Sequence, residues 1–138
     1  MHLTRRAALS AASATAILPA FRARAQAKPL IKIGVINDQS GPYRDLNGPT
    51  SVICTKQAVQ EFAAGGFDVE VLSADTQNKP DVAVSIARQW IDQMGVDIVM
   101  DCAASSAALA LASLCREKNK VCLPTSTATS DQIGRAHV

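Results

Sequence analysis

Apolar and polar positions follow one another in blocks along this chain. Ile31, Ile33, Val35 and Ile36 form a short, mostly β-branched run that breaks at Asn37 into polar and turn-forming residues up to Pro42. Such a run suits a buried strand, and the break suits the loop leaving its carboxyl end. Asn47-Gly48-Pro49 then opens a helix to about Ala63, because Val52, Thr55, Val59 and Phe62 recur at helical spacing until Gly65-Gly66 stops them. Residues 68–74 predict a second strand. A polar loop follows, with Pro80 in the first turn of the next helix, where a missing N–H costs little. Val82, Ile86, Ala87, Trp90, Ile91 and Met94 share the apolar face of that helix, and Gly95 ends it. Residues 97–100 predict a third strand, with the segment 101–106 leading out of it. A third helix runs to about Lys118 with Ala108, Leu111, Ala112 and Cys115 inside, and residues 121–123 make a fourth strand.

The resulting β-α-β-α-β-α-β rhythm with short connections predicts an α/β fold, a parallel three-layer α/β/α sheet joined by right-handed crossovers. The second strand is expected beside the first, and the third and fourth on its other side. Ligands of such sheets bind outside the strand carboxyl ends, near that reversal of order.

The two ends of the chain stand apart. Residues 1–27 hold Arg5, Arg6, Arg22 and Arg24, no acidic residue, and a small-residue apolar stretch between the arginine pairs. That stretch is too short and alanine-rich for a comfortable membrane span, and Ala25-Gln26-Ala27 fits a leader cleavage site. The segment is expected to be a signal peptide cut near Ala27, which would place the mature chain in the periplasm. Thr4-Arg5-Arg6-Ala7-Ala8-Leu9 resembles a twin-arginine leader, although Ala8 stands where a bulky residue is usual, so general secretion stays open. At the other end, Ile133-Gly134-Arg135-Ala136-His137-Val138 completes no element. Its codons can be written to resemble a sequencing-adapter strand, so the tail is expected to be non-native.

Charge follows the same division. The whole chain is formally +2, but residues 28–132 contain nine basic and twelve acidic residues, near −3. No Lys/Arg cluster suggests nucleic acid, and these roughly 105 residues suffice for one modest domain. Cys54, Cys102, Cys115 and Cys122 match no zinc or Cys-x-x-Cys spacing. Three lie in apolar runs and read as buried free thiols; a Cys102–Cys122 disulfide on neighbouring strands is the alternative.

Three polar loops are expected to converge at the sheet's carboxyl edge, residues 39–47, 103–106 and 125–130. Ser105 and Ser106 open a helix, where unpaired N–H groups and the dipole favour an anion; plain N-capping is the competing explanation. Thr127 and Thr129 sit in a hydroxyl-rich stretch that is either a binding loop or a surface turn. Tyr43 can stack on a ligand or cover the sheet edge. Asp38, Asp75 and Asp101 end or follow strands, an arrangement similar to a phospho-receiver site, which capping and loop solvation explain better. No Gly-x-Gly-x-x-Gly, Walker loop or Ser-His pair is present in residues 28–132, so neither an enzyme nor a cofactor is expected.

Several segments together resemble the periplasmic solute-binding proteins of branched-chain amino-acid-type ABC transporters. They are Ile31-Lys32-Ile33-Gly34-Val35-Ile36, Ser40-Gly41-Pro42-Tyr43, Ala74-Asp75-Thr76-Gln77-Asn78-Lys79-Pro80-Asp81, Ala87-Arg88-Gln89-Trp90-Ile91, Ser105-Ser106-Ala107-Ala108-Leu109-Ala110, Arg116-Glu117-Lys118-Asn119-Lys120 and Ala128-Thr129-Ser130. The resemblance covers residues 28–132. It implies a type I periplasmic binding fold, of which this chain holds an incomplete first lobe, leaving half the cleft walls and the closure motion to the missing part. It further implies a monomer, without catalysis, that captures a small carboxylate- or amide-bearing solute and delivers it to a membrane permease. In that family a serine pair like Ser105-Ser106 and a loop like 127–129 hold the ligand carboxylate and amino group, and residues near Tyr43 approach its side chain. A sensor domain of the same fold controlling a kinase or regulator is the alternative.

Overall fold

The computed structural model describes residues 28–63 and 65–132. The expected leader and the six-residue tail lie outside the described residues. Four strands form one parallel sheet: β1 (Leu30–Asn37), β2 (Asp68–Asp75), β3 (Ile98–Met100) and β4 (Val121–Leu123), in the order β2-β1-β3-β4. The helices are a single turn α1 (Arg44–Asn47), then α2 (Pro49–Phe62), α3 (Pro80–Gln89) and α4 (Ser105–Glu117). Three β-α-β crossovers therefore build the sheet outward from β1 on both sides, as the sequence rhythm predicts.

The two faces of the sheet are packed very differently. Register places Gly34 and Ile36 beside Leu72 and Ala74, with Val99 and Cys122 following across the sheet. This row meets Ala83, Ala87 and Trp90 of the α3 region and Ala107, Ala108 and Leu111 of α4 in one continuous core. Trp90 begins a widened turn, Trp90–Met94, that continues α3 and closes at Gly95. The Gly95 backbone is left-handed, with φ 69°, a conformation glycine adopts without a Cβ penalty, and the following Val96 N–H returns to the Trp90 carbonyl.

Among the described residues the opposite face is covered by α2, of which only Val52 is buried. The helical spacing of Thr55, Val59 and Phe62 is real, but Phe62 is 80% exposed. The reason is geometric: α2 stands off the sheet, leaving an open groove of about 570 Å³ whose walls include Val59 and Phe62 from the helix and Ile33, Val69 and Met100 from the strands.

At the amino ends of the strands, Asp97 clips three of them together. Its carboxylate accepts the Lys32 N–H at 3.1 Å and the Lys120 ammonium at 3.0 Å, while its own N–H donates to the Lys32 carbonyl. The Lys32 N–H bond, followed by that of Lys120, holds the Asp97 carboxyl below the usual aspartate range. A carboxyl with a lowered folded-state pKa stabilises fully above its unfolded value, near 3.8, and loses that contribution as pH falls through the folded value. Thermal unfolding followed between pH 5 and pH 2 is therefore expected to show stability falling below about pH 4. An Asp97→Asn variant should be less stable at pH 6 and show a shallower acid fall.

Cys102, Cys115 and Cys122 are buried and Cys54 is exposed, all as free thiols. The Cys102–Cys122 bridge does not form, and Cys122 lies on β4 where α4, which carries Cys115, packs against the sheet. Burial pushes the Cys102 thiol up to about 11, and the neighbouring Cys122 thiol together with burial pushes Cys115 up as well. Iodoacetamide at pH 8 is expected to label the native protein once, at Cys54, and four times in denaturant. Only two labels in denaturant would reveal a disulfide.

Candidate functional site

The carboxyl ends of β1, β3 and β4 lie side by side, so the loops behind them share one rim. The β1 loop is shaped by carboxylates rather than by regular structure. Asp38 accepts the Gly41 and Tyr43 N–H groups at 2.7 and 2.9 Å, turning the chain sharply into α1. Asp75, ending β2, accepts the Gln39 N–H at 2.9 Å, the Ser40 hydroxyl at 2.6 Å and the Gln77 N–H at 2.8 Å. Desolvation raises the Asp75 pKa, but the bonds from Ser40, Gln77 and Gln39 outweigh it and leave the group below its ordinary value.

Asp101 is the third strand-end aspartate and differs from the other two. It is 1% exposed, it directly follows β3, and its backbone is left-handed at φ 65°. Its carboxylate accepts the Asn37 amide at 2.9 Å, the Asn47 amide at 2.8 Å and the Thr125 hydroxyl at 2.8 Å. The Asn47 amide also reaches the Ser126 hydroxyl at 2.9 Å, so the β1 and β4 loops are joined through buried polar groups. The three aspartates are thus each taken up by loop donors. Among the described residues, no group of three or more His, Cys, Asp or Glu side chains is placed to hold a metal ion. Capping and loop anchoring, not a receiver-like acid cluster, account for them.

The expected site residues fall on this rim. Ser105 and Ser106 are the first two residues of α4, and the N-cap position belongs to Ala104, which provides no side-chain cap. The first helical bond is made by Ala108 N–H to the Ala104 carbonyl. The N–H groups of Ser105, Ser106 and Ala107 therefore point out of the helix end without an intrahelical acceptor. Thr127 and Thr129 are half-buried in the β4 loop, and Thr129 accepts the Asp131 N–H at 3.3 Å. Tyr43 is partly exposed, with its backbone fixed by Asp38 and its carbonyl accepting the Leu46 and Asn47 N–H groups. The topology brings all five to one edge. The large groove beside α2 is a separate feature, apolar and on the face of the sheet, touching the rim at Thr125.

A family model described as periplasmic binding protein matches residues 30–137. The chain belongs to that family. Among solved structures, a branched-chain amino-acid ABC transporter periplasmic ligand-binding protein from Burkholderia xenovorans LB400 is 40% identical with a TM-score of 0.70, over 75% of this chain and 28% of that one. A solute-binding protein of an ABC transporter from Rhodopseudomonas palustris, in complex with 4-hydroxybenzoate, is 26% identical with a TM-score of 0.69, over 78% of this chain and 30% of that one. The branched-chain amino-acid transporter substrate-binding protein LivJ from Streptococcus pneumoniae, in complex with isoleucine, is 26% identical with a TM-score of 0.66, over 73% of this chain and 30% of that one. No curated protein matches the chain at a significant level.

This periplasmic binding protein chain spans about three-tenths of the length of those relatives. The family resemblance read from the strand and loop motifs is correct, as is the parallel α/β sheet. The family is one of binding proteins rather than enzymes. Of the residues joined in this buried network, Asp101 reads from sequence as a strand-end aspartate and Ser126 as part of the 125–130 loop, but their link to Asn37 and Asn47 carries no sequence expectation. The available signal was a buried-strand terminus ending in Asn37 and a strand followed by Asp101 where small turn residues are common.

Proposed function

We propose that this chain forms part of the solute-capturing lobe of an extracytoplasmic binding protein that feeds an ABC importer. The solute is a small molecule bearing a carboxylate or amide, an amino acid or a related acid. The observation that supports this is the open start of α4. Two serines occupy its first turn without capping it, so their hydroxyls are not taken up by a cap and the N–H groups of residues 105–107 have no intrahelical acceptor. A helix amino end offers partial positive charge and aligned donors, which suit a carboxylate. Thr127 and Thr129 supply further oxygens from the neighbouring loop, and Tyr43 supplies an aromatic face. The relatives solved with isoleucine and with 4-hydroxybenzoate hold ligands that share a carboxylate and little else.

Capture in this reading involves no bond making. A second lobe closes over the rim, the closed form is populated because the solute binds it better, and that form docks on the permease. The protein works as an exported monomer after removal of the leader in residues 1–27. Transporter proteins among the named relatives favour this over the sensor alternative.

The test is ligand-induced stabilisation of the exported protein. Isoleucine, leucine, 4-hydroxybenzoate, an aliphatic amide and urea are each titrated while the melting temperature is followed. Binding at a hundredfold excess over Kd adds about 2.7 kcal/mol, a rise of several degrees or more for a domain of this size. Failure of every carboxylate and amide in such a panel, with a neutral sugar raising the melting temperature instead, removes the reading.

A further inference from the structure

We propose that Asp101 is the positioning residue of the rim, a single buried carboxylate that holds the three ligand-facing loops as one unit before any solute arrives. The inference rests on the solute-binding reading for its purpose, but its content is a coupling between loops that stands on geometry.

The side chain sits where the β1 and β4 loops meet, and beside it the Asn47–Ser126 bond is the further side-chain link between those loops among the described residues. Asn37 closes β1, Asn47 closes the single-turn α1 that follows Tyr43, and Thr125 lies two residues before Thr127. All three donate to the one Asp101 carboxylate, at 2.9, 2.8 and 2.8 Å, and the Ser126 hydroxyl lies 3.5 Å from it. The Asp101 N–H meanwhile donates to the Leu123 carbonyl at 3.1 Å, tying the exit of β3 to the exit of β4. Four residues further on, α4 begins at Ser105. The same amide nitrogen of Asn37 also lies within 2.6 and 2.9 Å of the Asn47 and Gly48 carbonyls, so the loop carrying Tyr43 is gripped from both sides.

Two features make Asp101 more than one member of a network. A non-glycine residue at φ 65° is strained, and glycine would adopt that turn freely. An aspartate persists there while its oxygens collect neutral donors from two separate loops. A carboxylate has acceptor capacity for all of them at once, which an amide or hydroxyl lacks. Rigid placement of donors is what a binding rim needs, since ordering loops during binding subtracts from affinity.

The experiment is backbone amide hydrogen exchange of the unliganded protein, comparing the parent with Asp101→Gly, Asp101→Asn and Thr125→Val. Asp101→Gly suits the left-handed turn and removes the carboxylate alone. It is expected to raise exchange at least tenfold in both 39–48 and 124–132, with less than threefold change in 30–36 and 68–74. Asp101→Asn should do the same, because its NH₂ faces other donors. Thr125→Val, the milder change, should raise exchange in 39–48 as well as in its own loop, since the two share one acceptor. Three results would overturn the proposal: parent-like protection in Asp101→Gly, an equal rise throughout the sheet, or a Thr125→Val response confined to its own loop. No ligand enters this measurement. Loss of the solute reading leaves the coupling standing, and a protein that binds solute in the separate titration while its unliganded loops exchange independently would remove the coupling alone.

Discussion

Replacing Trp90 by alanine is expected to cost about 3–5 kcal/mol of folding stability, a large part of what a small domain possesses. The indole is 8% exposed and joins the end of α3 to the core. It also lies directly on the central strand, because a Cβ placed on Gly34 would fall 2.6 Å from its Cε3 and Cζ3 atoms. Gly34 is thus glycine for reasons of space. Gly34→Ala in the parent should cost about 1–3 kcal/mol, since ring and strand must separate. In the Trp90→Ala background the added methyl enters the vacated volume, and the cost of Gly34→Ala should vanish or change sign. Urea unfolding with ΔG and m measured for all four proteins reads this directly. Costs that add within about 0.5 kcal/mol would show that the two residues do not meet as described.

That contact also shows how far the fold was legible. The apolar stripe containing Trp90 announced a helix and its buried face, and the alternation of strand and helix announced β2-β1-β3-β4, since parallel neighbours need crossovers and crossovers have one hand. Boundaries held within a few residues because Pro49, Pro80 and Gly95 are strong punctuation. What periodicity could not distinguish was how tightly a stripe is covered. Val59 and Phe62 repeat as regularly on α2 as Ile86 and Trp90 do after Pro80. Only the first pair borders an open groove, a matter of how far a helix stands from the sheet. The widened turn at residues 90–94 likewise has no signature in hydrophobic spacing.

The site divides along a similar line. Ser105, Ser106, Thr127, Thr129 and Tyr43 draw notice as candidates because strand-exit loops are where parallel sheets bind ligands, and the strand order puts all five at that edge. The link between Asn37, Asn47 and Asp101 was not legible, although Asp101 itself reads as a strand-end aspartate, because a buried polar cluster is assembled from residues 10 to 64 positions apart. Each alone reads as ordinary turn chemistry. The left-handed φ of Asp101 is invisible in sequence altogether, and it separates this aspartate from Asp38, which turns its own loop, and from Asp75, which serves the loops beside it.

The double substitution Ser105→Ala, Ser106→Ala should separate the two explanations of the serine pair. Hydrogen bonds to a charged group contribute about 1.5–3 kcal/mol each, so loss of both hydroxyls should weaken a carboxylate ligand about a hundredfold or more. The backbone N–H groups of residues 105–107 remain and preserve residual binding. Stability should respond quite differently. Removal of a capping serine costs about 1 kcal/mol, whereas alanine at an uncapped first-turn position is a good helix former. Since neither serine caps α4, the unliganded melting temperature is expected to hold or rise. Calorimetric titration with isoleucine and 4-hydroxybenzoate, each beside its neutral primary-amide analogue, completes the cycle. The parent should discriminate against the amide, and the double variant should discriminate much less, because the groups that sensed the charge are gone. Unchanged affinity with a lowered melting temperature would assign the pair to the helix rather than to the solute.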